Sequence, residues 1–199
     1  MKFKIKELFF KGSQREAVIV STVYIEVLLE ELLIKSVICE DKKALFGNNG
    51  PANTLSNKIL TCYSFGLIPR SIYIILEILR KIRNKCAHSI NEKNDFRIDL
   101  SEHEYLDILR NVFPNKDINK IQDVSQKKHL HKLRNENIDK STSITFYFYL
   151  VLSVIDYLES RTKDEKTIKH PSRFKLKHIQ TYFTHDELKK ITQAYNQDN

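Results

Sequence analysis

The sequence predicts an all-α protein, a bundle of five to six helices, and three observations carry that reading. Apolar residues recur at helical spacing in several long segments. Four Gly and four Pro in 199 residues are too few for the tight turns of an all-β fold. Helix start and stop signals, two capping boxes among them, bracket the apolar runs.

Residues 1 to 14 read as a leader arm, basic and apolar but too short for a secretory signal. Residues 15 to about 37 form a long helix: Val18, Ile25, Leu28, Leu29 and Leu32 supply its apolar stripe, while Glu26, Glu30 and Lys35 stay in water. Gly47, Asn48, Asn49, Gly50 and Pro51 make a turn cluster that ends this unit. A shorter helix follows from about Thr54 to Phe65, with Gly66 as its stop.

The central helix runs from Pro69, suited to a first turn, to His88. Ile72, Ile75, Leu76, Leu79, Ile82 and Cys86 share one face, and Ile74 and Ile78 predict cover on more than one side. Ser101 and Glu104 form a capping box that opens a helix to about Val112, and Pro114 closes it. Residues 115 to 140 are polar and read as a solvated insertion.

Residues 142 to about 161 are the last core helix. Their aromatic and β-branched content also suits a strand, but their length and the lack of a neighbouring strand favour helix. Phe146, Tyr147, Phe148 and Tyr149 read as core rather than as a base-stacking platform. Residues 162 to 183 form a basic connector, and Thr184 with Glu187 starts a small C-terminal helix. The expected division is a bundle domain over 1–161, followed by connector and short helix over 162–199.

A net charge of +8 and a pI near 9.3 suit an anionic partner such as nucleic acid, although solubility alone also accounts for such a charge. Cys39, Cys62 and Cys86 lack CxxC spacing and cannot all pair, which points to a reducing compartment and no structural zinc. His129 and His131 do not share a helical face, so no metal is expected there, and no cofactor is expected at all. The run 146–155 is too short to cross a bilayer, so the expectation is a cytoplasmic protein with no membrane contact.

One residue breaks the central pattern. At about 100° per residue, Arg83 is directed into the apolar stripe, where a guanidinium needs a partner or an interface. Five positions on stands His88, the side-chain type suited to proton transfer near neutral pH.

The stretch from Leu45 to His88 resembles the signature of the mannitol-operon repressor (MltR-type) family. The likeness rests on Gly50-Pro51, Ser56, Lys58-Ile59, Tyr63, Gly66-Leu67-Ile68, Tyr73, Arg83-Asn84 and Ala87-His88, within a likeness over roughly residues 15–113. Pro51-Ala52-Asn53 stand where that family has a GPLG-type loop. It implies a non-enzymatic transcriptional regulator. No helix-turn-helix with a basic recognition helix is evident, so regulation would run through a protein partner.

The ending Arg83, Asn84, Lys85, Cys86, Ala87, His88 is also similar to HEPN domains. That resemblance implies a metal-independent ribonuclease of toxin or defence type, its site shared across a two-fold homodimer. In it His88 moves the proton, Arg83 clamps the phosphate, Asn84 orients His88 and Glu77 holds the imidazole tautomer. Arg83 and His88 lie about 140° apart on a regular helix, so a second copy would be needed to converge them. The competing reading is structural: Arg83 bridges to Glu26, Glu30 or Glu31, Asn84 caps carbonyls, and His88 complements the helix C-terminus.

Overall fold

The structure, a computed structural model, describes residues 1–11, 13–36, 41–88 and 140–163, together with Thr184 and Asp186. These form six helices: α1 (Lys2–Lys11), α2 (Gln14–Ser36), α3 (Lys42–Phe46), α4 (Leu55–Ser64), α5 (Arg70–His88) and α6 (Lys140–Lys163). No strand occurs among the described residues, and the fold is an all-α bundle as its periodicity predicts. The expected helix at 101–112 lies outside the described residues, as do the insertion apart from Lys140, the connector apart from Thr162 and Lys163, and the C-terminal helix apart from Thr184 and Asp186. Lys140, Thr162 and Lys163 belong to α6 instead.

Helix α2 is the axis. Ala17, Val18, Ser21, Thr22, Ile25, Leu28, Leu29, Leu32 and Leu33 are buried, an arc wide enough to meet α1, α4, α5 and α6. Helix α6 runs parallel to it. The Tyr24 hydroxyl donates to Glu159 at 2.9 Å, and further along Lys35 Nζ donates to the Thr162 carbonyl. Helix α5 runs the opposite way, its Cys86 Sγ donating to the Arg15 carbonyl at 3.8 Å. Phe146, Tyr147, Phe148 and Tyr149 are all buried, which a helix enclosed on all sides explains better than a strand.

The N-terminal arm is a correction. Residues 2–11 are a helix, with Ile5 fully buried and the Phe9 ring 3.8 Å from that of Phe148, centroid to centroid. Lys2 pairs with Asp156 and, at 3.1 Å, with Glu159. Burial alone would push the Glu159 carboxyl up, but bonds from Lys2 and Tyr24 hold it below its ordinary value. A carboxyl depressed on folding stabilises above its unfolded pKa, about 4.3, and that contribution is lost as pH falls through the lower folded value. Glu159→Gln is therefore expected to cost about 1 kcal/mol at pH 7. Urea titrations of variant and wild type should converge near pH 3.

Thr54 caps α4, its Oγ1 accepting from Asn57 N at 3.2 Å. The helix stops at Gly66, whose φ of 67° is left-handed and whose N–H donates to the Tyr63 carbonyl at 2.9 Å. An added Cβ there would meet nothing within 4 Å, so the cost of Gly66→Ala is purely backbone. A loss of about 1 kcal/mol is expected for Ala and less for Asn, read as urea midpoints.

Helix α3 was not foreseen. It stands because Asp41 caps it, the carboxylate accepting from Lys43 N and Ala44 N.

Candidate functional site

Helix α5 carries the candidate residues. Its inner face, Ile72, Ile75, Leu76, Ile78, Leu79, Ile82 and Cys86, is buried as its spacing predicts. Its outer face holds Arg70, Glu77, Arg80, Lys81 and Lys85, four cations against one carboxylate, and ends on His88.

Arg83 is not buried. It stands exposed, its Nη1 donating to Asn84 Oδ1 at 3.2 Å, whereas Leu76, seven residues earlier on nearly the same side, is 1% exposed. The difference follows from the length of α4. The two helices meet where Tyr63 stacks on Tyr73, and ten residues of helix reach only about 15 Å back along α5. Arg83 lies beyond that cover, and its expected place inside the stripe is corrected accordingly.

The bridge from Arg83 to Glu26, Glu30 or Glu31 is not made either. The cation that meets these glutamates is Lys58 of α4, its side chain 7% exposed. Its Nζ lies 2.8 Å from Glu26 Oε1, 3.2 Å from Glu30 Oε2 and 5.8 Å from the centre of the Phe46 ring. Burial opposes the Lys58 charge, but the two carboxylates outweigh it and raise the pKa above the ordinary lysine value. Glu26 and Glu30, expected in water, are thereby drawn half under cover.

Glu77 does not serve His88. It holds Arg80 with both oxygens, at 3.1 and 2.9 Å, a pairing of positions i and i+3. Eleven residues of helix also separate it from His88, about 16 Å along the axis. Asn84 turns its carbonyl oxygen to Arg83, and no hydrogen bond joins it to the exposed His88. Within one chain, then, Arg83 and Asn84 are linked and His88 stands apart.

Two further residues complete this end of the bundle. Arg15, at the start of α2, lies close enough to Cys86 that its charge, like that of Arg83, favours the thiolate. Burial wins nonetheless and raises the Cys86 pKa, which disfavours the thiolate of this buried side chain. On α2 itself Ile19, Val23 and Val27 recur every four residues as an exposed apolar stripe, beginning one turn from Arg15. Its spacing was legible in the sequence, its exposure was not.

Among the described residues no group of three or more His, Cys, Asp or Glu side chains could hold a metal, and no helix is long and apolar enough to cross a membrane. No family model, no curated protein and no solved structure matches the chain.

Proposed function

We propose that the protein is an RNA-directed homodimer that cleaves RNA without a metal, with Arg83 and His88 as the reacting side chains. The observation that carries this reading is the exposure of both on the last turns of α5, with the Arg83 guanidinium bonded to an amide rather than neutralised by a carboxylate. The ion pair with Glu26 and Glu30 that would have held Arg83 for structure is made by Lys58. Arg15 and Lys85 add positive charge at the same end, as a phosphate ester requires.

In the reaction, one His88 takes the proton of the ribose 2′-hydroxyl as that oxygen bonds to phosphorus. The bond from phosphorus to the 5′-oxygen breaks, the departing oxygen takes its proton from water, and His88 returns its own proton to solvent, while the Arg83 that faces it belongs to the second copy. The products are a 2′,3′-cyclic phosphate and a 5′-hydroxyl. Arg83 steadies the crowded phosphate, and Asn84, holding that guanidinium, is a positioning residue. The exposed stripe of Ile19, Val23 and Val27 supports association with a second copy, because an apolar row of this kind is suited to a protein contact.

Incubating the protein with single-stranded RNA in EDTA tests the proposal. Cleavage is expected to persist, and to fall on the order of a hundredfold or more in Arg83→Ala and in His88→Ala. Both side chains are exposed, so thermal midpoints should stay close to that of the wild type, within about 0.5 kcal/mol. Equal residual activity in wild type and both variants would assign the cleavage to a contaminant.

A further inference from the structure

The geometry points to a second element of the RNA site: the outer face of α5 is a track for single-stranded RNA, and one base stacks on the Tyr63–Tyr73 pair at its far end. The inference rests on the RNA-directed reading above and adds where the strand runs and what holds it.

Tyr63 of α4 and Tyr73 of α5 stack with ring centroids 4.5 Å apart and planes 23° from parallel. Tyr63 is 37% exposed, and beside it in the chain Phe65 is 64% exposed and Leu60 53%. Aromatic side chains left in water beside cations are the means by which proteins hold single strands, since every base offers a π-face. The cations are present. Arg80 is close enough to Tyr73 for the two to interact electrostatically, and Glu77 holds it with both oxygens, which fixes its direction and makes the pair neutral. The net positive charge of the helix therefore comes from its other cations, Arg70 and Lys81 among them.

Tyr73, Arg80 and Asn84 fall at i, i+7 and i+11, one line along the helix that ends beside Arg83. The line is about 16 Å long, which matches about five stacked nucleotides at 3.4 Å each. The other exposed apolar row, on α2, lies on a helix with four carboxylates against Arg15 and Lys35, which repels a phosphate backbone. Charge thus separates the two surfaces: RNA suits α5, and protein suits α2.

The chain contains no Trp, so Tyr63→Trp installs a single indole emitter on the proposed track. The probe is a 12-nucleotide 2′-O-methyl RNA, which lacks the attacking hydroxyl and cannot be cleaved. Saturable quenching of the indole by the single strand, with little by the same sequence as a duplex, is expected. Phe65→Ala with Tyr63→Ala should weaken single-strand binding at least tenfold in fluorescence anisotropy, with the thermal midpoint kept.

Binding without indole quenching would overturn the track. So would quenching that follows protein concentration in the absence of RNA, which would make the patch a contact between copies. A wild-type protein that cleaves RNA yet shows no tyrosine dependence of binding loses the track and keeps the nuclease. One that quenches and binds but never cleaves keeps the track and loses the nuclease.

Discussion

Lys58→Glu is expected to leave no cooperative unfolding transition, because it puts a third carboxylate where Glu26 and Glu30 already face one ammonium. Removing one partner of a buried ion pair costs about 3–5 kcal/mol, and reversing its sign adds repulsion, in a fold whose whole stability is about 5–15 kcal/mol. Lys58→Met keeps the volume and removes the charge. Its cost should be smaller, about 2 kcal/mol, because both glutamates keep roughly a third of their side chains in water.

The pH dependence separates charge from packing. The Lys58 pKa is raised on folding, so its contribution is full below the unfolded lysine value, about 10.4, and is lost as pH rises through the higher folded value. Urea midpoints of wild type and Lys58→Met should therefore differ at pH 7 and draw together well above pH 10. A gap that persists unchanged in alkali would mean that the methylene stem, not the ammonium, is what α2 holds.

Mixing two inactive proteins should restore cleavage. Arg83 and His88 diverge by about 140° on one helix, so a site built from both draws them from different copies. When Arg83→Ala and His88→Ala chains are unfolded together and refolded, about half of the dimers are mixed, and each mixed dimer keeps one intact site of two. Recovery to about a quarter of wild-type activity is expected, measured as initial rate in EDTA. No recovery would mean that the two side chains do not act across a subunit boundary.

Much of the bundle was legible because burial follows local period. The inner face of α5, the aromatic start of α6 and the glycine that ends α4 are all written in spacing and residue type. What escaped depends on where a neighbour stops. The angle of Arg83 names a side of the helix, but only the ten-residue length of α4 leaves that side bare. Lys58 escaped for the converse reason, since nothing within α4 announces that two glutamates of α2 will meet it.

Helix α1 was hidden by its own composition. Lys2, Lys4 and Lys6 alternate with Phe3 and Ile5, a period of two that masks a helix whose lysine at position 2 answers acids on α6. The Glu77–Arg80 pair, by contrast, was readable: Glu three positions before Arg is a local match that competes with any longer-range role for the glutamate.

A chain emerging from the ribosome carries Lys2 into the cell 154 positions before its partner Asp156 is made. Until then Ile5 and Phe9 have no Phe148 side of the core to close upon, and Tyr24 lacks Glu159. Contacts so distant in sequence close late. Two copies can therefore join as finished bundles only after α6 has been synthesised, and a shorter nascent chain presents the open seat of that helix instead.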